Sequence, residues 1–311
     1  MLWPSPLTGR PEYVGLVAEI DIAQLAGGYR SRLGIDVTRL FAGVDRLCLL
    51  RDAETGLSFF SPPVVGDVAF YDALALRHDY YRADKAEYRI ARDYVRPGAR
   101  ICEVGAGFGL FRDHVPGADF LGLEFNDAAL AHAAARNIPM LRRDVHEFAD
   151  ANPAAFDVTC AFQVLEHVVE PLEFVASLVR LTKPGGTILI STPNGEAYIA
   201  RNRDLLNVPP HHVTWWEDMT WTWLQQRFGL CGLQLHHTPV DECLIEWARM
   251  VAVDGLAALL DLKLHAVVDE TPMRHRIDAL AEHTARIIAS GVRHRMDAPP
   301  VGHTTLAVFS R

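Results

Sequence analysis

Residues 101–111 read Ile101-Cys102-Glu103-Val104-Gly105-Ala106-Gly107-Phe108-Gly109-Leu110-Phe111. A short apolar run of this kind is what a strand buried on both faces of a parallel sheet requires. It closes on an acid, Glu103, and on glycines at alternate positions, Gly105, Gly107 and Gly109. Glycine has no Cβ, so such a turn can be tight and can let a ligand lie against the backbone. The stretch therefore predicts a strand followed by a nucleotide-type binding turn. Alone it does not say which nucleotide, because a nicotinamide-dependent oxidoreductase carries a similar turn.

Working outward, strand-like and helix-like segments alternate from about residue 98. Strands are expected over 100–104, 120–124, 140–142, 157–162 and 187–192. Helices are expected over 110–114, 127–136 and 171–181. This alternation implies an α/β fold with a parallel sheet covered on both faces. Lys183-Pro184-Gly185-Gly186 reads as a loop that stops a helix before the fifth strand. A further helix is expected over 216–228, a sixth strand over 230–236 and a closing strand over 304–310. Ile277, Leu280, Ala281, Ile287, Ile288 and Val292 recur at roughly helical spacing and predict a helical insertion. The opening ~95 residues have weaker periodicity and read as a small separate lobe ending in an amphipathic stretch over 80–94. The expected division is a lobe over 1–79, an α/β domain over 80–240, the insertion over 241–298 and the closing strand over 299–311.

Composition narrows the function. Half of the 311 residues are hydrophobic, enough for a sizeable core. The net charge of −9 argues against a general nucleic-acid binder, which needs a basic face. The N-terminus, Met1-Leu2-Trp3-Pro4-Ser5-Pro6, lacks the charged start and apolar centre of a secretory signal. No apolar run reaches membrane-spanning length. The five cysteines are scattered without a CxxC pair, which predicts buried thiols in a cytoplasmic protein, with no disulfides or metal cluster.

The strand ends carry the candidate chemistry. Glu124, closing the second strand, can accept two hydrogen bonds from a ribose diol. Asp144-Val145 after the third strand can meet an adenine amino group and ring. The fourth strand runs into Gln163-Val164-Leu165-Glu166-His167. Taken in order, this series resembles the class I S-adenosylmethionine-dependent methyltransferases over roughly residues 80–240 and the last strand. The resemblance implies a Rossmann-like sheet of seven strands, the last one reversed. It implies that Glu103, Gly105, Ala106 and Gly107 hold the methionine end of S-adenosylmethionine. Glu124 with Phe125 would hold the ribose side, Asp144 and Val145 the adenine, and Gln163 the sulfonium side. His167 is expected to serve as a structural helix start.

Two weaker matches concern the acceptor. Ser5-Pro6-Leu7-Thr8-Gly9 and Asp52-Ala53-Glu54-Thr55-Gly56 resemble the paired C-x-x-C-G knuckles that open many sugar-modifying and related small-molecule methyltransferases. Four cysteines hold a structural zinc there; here Ser5, Thr8, Asp52 and Thr55 replace them, so a metal-free lobe of similar shape is expected. Pro209-Pro210-His211-His212-Val213-Thr214-Trp215-Trp216 resembles a P-P-H-H-x-x-x-W segment of the same broad group. His211 or His212 could take the proton of an attacking hydroxyl; equally, both could cap the next helix and pack on Trp215 and Trp216. Arg274, His275, Arg276, His283, Arg286, Arg293, His294 and Arg295 make the insertion basic. That suits an anionic acceptor, a solvated face, or a homodimer contact.

The expected function is methyl transfer from S-adenosylmethionine, leaving S-adenosylhomocysteine, to a small-molecule acceptor. O-methylation of a sugar or natural-product intermediate is favoured. A nicotinamide-dependent oxidoreductase is the first alternative, but it leaves Asp144-Val145 and V-L-E-H-V without a purpose. A non-catalytic S-adenosylmethionine-binding protein is the second.

Overall fold

The computed structural model describes residues 3–76, 82–265, 267–292 and 300–311. Three strands open the chain: β1 (Val14–Ile20), β2 (Leu47–Asp52) and β3 (Ser58–Ser61), with helix α1 (Ile22–Gly28) after the first. Helices α2 (Val68–Ala75) and α3 (Ala86–Ala91) lead to the deciding strand, β4 (Arg100–Val104). The chain then runs β5 (Asp119–Leu123), α4 (Asp127–Ala135), β6 (Met140–Leu141), α5 (Val145–Ala151), β7 (Phe156–Phe162), α6 (Pro171–Leu181) and β8 (Thr182–Pro193). It ends with β9 (Thr214–Trp215), α7 (Asp218–Phe228), β10 (Cys231–Pro239), α8 (Leu244–Leu259), α9 (Pro272–Val292) and β11 (Val301–Ser310).

The large sheet has seven strands in the order β10-β11-β8-β7-β4-β5-β6. β4 pairs in parallel with β5 and β7, and β7 with β8, while β11 runs antiparallel to both β8 and β10. This is the expected Rossmann-like α/β sheet with its last strand reversed. β4 is buried from Ile101 to Val104, and β7 almost throughout, as strands covered on both faces must be. α6 begins at Pro171, whose fixed φ suits a first helical position, and buries Phe174, Val175, Leu178 and Leu181 along one stripe.

Four local readings change. The segment after the glycine turn, Leu110–His114, is a 3-10 turn and not an α-helix; Pro116 and Gly117 stop it before β5. Its few N–H groups therefore add no macrodipole of consequence to the turn. Lys183-Pro184-Gly185-Gly186 does not precede its strand but lies inside β8, with Gly185 at φ 75° and Thr182 already paired to Phe156. α5 was not expected. In the insertion the buried seam of α9 is Ile277, Ala281, Ala285 and Ala289, spaced by four, against Ala248, Ala252, Val253 and Ala257 of α8. Leu280 and Ile287 of the expected apolar set point outward, and the side chain of Val292 lies outside the description.

The opening residues form a four-stranded antiparallel sheet, β1-β2-β3-β9, whose last strand comes from residues 214–215. One apolar core joins Leu50 and Phe59 of that sheet to Trp216, Trp221 and the large sheet. Ser5, Asp52 and Thr55 of the expected knuckles are buried. Each knuckle closes on itself: Ser5 Oγ accepts from Leu7 N at 3.3 Å, and Asp52 accepts from Glu54 N at 2.9 Å and from the Thr55 hydroxyl at 3.0 Å. Cys48, Cys102, Cys160 and Cys243 are buried and Cys231 exposed, all as thiols. Among the described residues no helix is long and apolar enough to cross a membrane. The amphipathic stretch expected at 80–94 begins at Tyr80 and Tyr81, which lie outside the described residues, as do Arg293, His294 and Arg295.

Candidate functional site

β4, β5, β7 and β8 end at one edge of the large sheet, and the residues that follow them surround a cleft of about 1330 Å³. One wall is the glycine turn. Gly105 and Gly107 have φ 69° and 52°, the left-handed region where a side chain is disfavoured. A Cβ on Gly105 would also stand 2.5 Å from Val164 Cγ2. The turn is pinned from β5: Gly107 N donates to Glu124 Oε2 at 2.7 Å, and Glu124 Oε1 accepts from Phe125 N and Asn126 N at 2.7 and 2.9 Å. Three of about four acceptor positions of this carboxylate are thus in use, so room for one ribose hydroxyl remains rather than two. Phe125 is 57% exposed and lines the cleft.

Glu103 sits beneath the turn, 1% exposed, with its Oε2 buried and lacking a hydrogen-bond partner. Burial pushes its carboxyl well above the usual range; Lys85 opposes that shift and Glu124 adds to it. Gln163 reaches the cleft from the end of β7 with a left-handed backbone, φ 57°, held by Gln163 N donating to Ser191 O at 2.9 Å. Asp144 and Val145 do not line this cleft. Asp144 caps α5, its Oδ1 accepting from His146 N and Glu147 N at 2.9 and 3.1 Å, and Val145 is buried in the core.

The opposite wall brings together segments far apart in sequence. Val213 N donates to Glu166 O at 2.8 Å, stitching the chain after β7 to the Pro209–Trp216 region. There, His211 and His212 are 6% and 7% exposed, stacked at 4.4 Å, and adjacent to His167. Each imidazole donates through Nδ1: His167 to His211 O at 2.6 Å, His211 to Leu206 O at 2.7 Å, His212 to Asn207 Oδ1 at 3.0 Å. The Asn207 amide is oriented by its own Nδ2, which donates to Ile199 O. Burial depresses all three imidazoles, His167 to about 4 and the other two well below their ordinary value. They are neutral, so the 3.9 Å approaches of His167 Nε2 and His212 Nε2 to Glu166 Oε1 are not ion pairs. Glu166 itself is buried with both carboxylate oxygens unpartnered, and burial pushes it up to about 8.

Residues the sequence did not single out complete the enclosure. Tyr71 and Asp72 of α2 reach over the cleft, and Asn126 Nδ2 donates to Asp72 Oδ1 at 3.0 Å. Glu166 was visible in V-L-E-H-V, but only the tertiary contact with 211–213 shows its surroundings. Of the basic insertion residues, Arg274, His275, Arg276, His283 and Arg286 do not line the cleft. Arg274 is buried against Asp278 at 2.9 Å, and His275 meets Glu270 at 3.0 Å.

Residues 76–235 match the family model of the methyltransferase domain. A ubiquinone biosynthesis O-methyltransferase from Methylococcus capsulatus is 34% identical over 105 residues, covering 31% of this chain and 44% of that protein. One from Xanthomonas campestris pv. campestris is 32% identical over 142 residues, covering 40% and 58%. The chain thus spans about half the length of the relatives it matches. Among solved structures, a SAM-dependent methyltransferase from Archaeoglobus fulgidus superposes with TM-score 0.52 at 14% identity, covering 78% of this chain and all of that one. Phosphoethanolamine N-methyltransferase 2 of Haemonchus contortus, in complex with S-adenosyl-L-methionine, gives 0.50 at 13%, covering 98% and 62%. These two likenesses establish the fold.

Proposed function

The chain belongs to the methyltransferase-domain family, and from that premise we propose that it moves the methyl group of S-adenosylmethionine to an oxygen of a small-molecule acceptor. The observation that carries this reading is the cleft itself. A glycine cradle, with a buried acid behind it, forms one wall, and a neutral histidine–glutamate cluster forms the other.

The residues present fit the methyl donor. Gly105, Ala106 and Gly107 would take its amino-acid end against their backbone, and the unpartnered Oε2 of Glu103 suits an ammonium group. Glu124 Oε2 would accept a ribose hydroxyl, Phe125 would cover the nucleoside, and Gln163 would face the sulfonium side. The adenine is not assigned to Asp144 and Val145, since Asp144 caps α5 outside the cleft and Val145 is buried in the core. When bound, S-adenosylmethionine supplies an electrophilic methyl carbon and leaves as S-adenosylhomocysteine. This chain's residues would bind and orient the two reactants, most of the catalytic effect of a two-substrate site. His211 and His212 lie on the wall assigned to the acceptor and are neutral, as a proton acceptor must be.

O-methylation is favoured because the matched relatives are named O-methyltransferases. A hydroxylated sugar or natural-product intermediate is favoured because the knuckle turns persist without their cysteines. The insertion does not supply an anion site within the described cleft; we assign its outward face to contact with a second copy of the chain. Calorimetric titration with S-adenosylhomocysteine should show one site per chain, and NADH should show none. Incubation with methyl-labelled donor and a panel of sugars and phenolic intermediates should label an ether oxygen. Binding of NADH in place of S-adenosylhomocysteine would return the reading to an oxidoreductase. Unchanged donor across the panel would favour a binding protein.

A further inference from the structure

The cysteines lost from the two knuckles draw attention to the wrong end of the molecule for metal binding. On the acceptor wall, His167, His211 and His212 each bring one ring nitrogen within 4.8 Å of the others. Three further features turn this proximity into a ligand set. All three rings donate through Nδ1, to Leu206 O, His211 O and Asn207 Oδ1, which places their lone pairs on Nε2. Anchoring one ring nitrogen to an oxygen is how metal-ligating histidines are held, and Nε2 of both His167 and His212 faces Glu166 Oε1. Burial keeps the rings neutral, as ligation requires. Glu166 stands 3.9 Å from two of the Nε2 atoms, wholly buried, with neither oxygen hydrogen-bonded. A buried carboxyl with neither oxygen hydrogen-bonded is costly, and giving up its proton to coordinate a metal is one of the few arrangements that satisfies it.

We propose that Glu166, His167, His211 and His212 form a binding site for one divalent first-row transition-metal ion, of the zinc, cobalt or manganese kind, at the acceptor end of the cleft. Three imidazoles and a carboxylate select such ions over magnesium or calcium, which prefer oxygen ligands. With metal–nitrogen bonds of about 2.0–2.1 Å, ligand atoms sit roughly 3.0–3.4 Å apart, so the rings draw together by about 1–2 Å on binding. Glu166 and His167 close a short 3-10 turn after β7, and His211 and His212 lie in a turn before β9. The site deepens the methyltransferase reading and rests on it only for its role: an acceptor oxygen would complete the coordination sphere, and His211 and His212, with Nδ1 protonated and Nε2 ligated, would hold the metal instead of taking the acceptor's proton.

The test uses the full chain stripped with a chelator and titrated with Co²⁺ and Zn²⁺, without methyl donor. One equivalent should bind, with visible ligand-field bands for Co²⁺, at least about a hundredfold more tightly than Mg²⁺. His212→Ala and Glu166→Gln should each weaken Zn²⁺ binding by about tenfold or more, while His146→Ala, far from the cluster, should not. X-ray absorption on the zinc-loaded unaltered chain should count three imidazoles, which keeps the proposal testable should a variant fail to fold. Zinc affinity no better than magnesium, affinity unmoved by the cluster variants, or two or fewer imidazoles in the zinc shell would overturn it. Because no methyl donor is present, loss of S-adenosylhomocysteine binding is read separately and bears only on the proposed activity.

Discussion

At the scale of single residues, the glycine turn is where backbone conformation and ligand access meet. Gly105 has both a left-handed φ of 69° and a would-be Cβ contact of 2.5 Å with Val164. Gly105→Ala should cost about 1–3 kcal/mol in urea unfolding and abolish S-adenosylhomocysteine binding. Adding Val164→Ala should recover part of the stability by removing the clash, though not the part due to φ. Full recovery would mean that the left-handed backbone is unimportant. Glu103 makes a second residue-scale case. Its folded pKa is raised, so the folded state holds a proton that the unfolded chain releases near the ordinary carboxyl value of 4.5. The linkage then has a definite sign: the contribution is fully present below about pH 4.5 and is lost as pH rises toward the folded value. Glu103→Gln removes this dependence. Thermal melts of the unliganded chain between pH 5 and pH 8 should show the variant gaining stability relative to the parent as pH rises, while its affinity for S-adenosylhomocysteine falls. A pH-independent difference would rule out the titration.

At the scale of elements, the legible parts of the chain were those whose signal is local. β4 and α6 matched their expected bounds because an apolar run and a proline-started amphipathic stripe need no distant partner to be recognised. α5 was missed because its start, Asp144, was read as a ligand residue when it is also a helix cap. β9 is two residues long and exists only because β3 pairs with it. The candidate site divides the same way. Glu103 lies in β4, Glu124 and Gln163 follow β5 and β7, and all three could be placed by order along the chain. Glu166 acquires its surroundings only when residues 205–216 fold back over the end of β7. Asn207 is the hinge pin of that segment: Nδ2 donates to Ile199 O, Oδ1 accepts from His212 Nδ1, and its carbonyl accepts from Trp215 Nε1 at 2.7 Å. Asn207→Ala leaves the half-buried Ile199 carbonyl and the buried His212 N–H unpaired, so it should cost about 1–3 kcal/mol. Amide exchange should quicken selectively across residues 205–216. Uniform exchange across the sheet would instead indicate a global loss of stability without a local role.

At the scale of the whole molecule, the α/β sheet, the antiparallel sheet and the helical insertion each contribute a different surface to one chain. The expected separation of the opening lobe gives way to a shared core, since Leu50, Phe59, Trp216 and Trp221 pack together. α2 packs separately, its Phe70 and Leu74 buried with Leu25, Tyr29 and Leu205, and its Asp72 meets Asn126. The insertion is arranged differently. Its alanine-rich seam lets α8 and α9 approach closely, which uses up one face of α9. The other face carries Met273, Leu280 and Ile287, 43%, 58% and 69% exposed, seven residues apart and so on one side of the helix. Scattered exposed apolar residues are ordinary, but a row aligned over four turns of helix is the pattern of a surface that meets a partner. A row at heptad spacing is self-complementary about a two-fold axis, which suits a second copy of the same helix. Light scattering coupled to size exclusion should give a dimer mass at micromolar concentration. Leu280→Glu with Ile287→Glu should halve that mass, with folding intact because neither side chain enters the α8–α9 seam. S-adenosylhomocysteine should bind the monomeric variant as it binds the parent, since the described cleft is lined without any residue of α9. A monomer in the parent chain, or a dimer unaffected by both glutamates, would mean that this row of side chains is not what joins two copies.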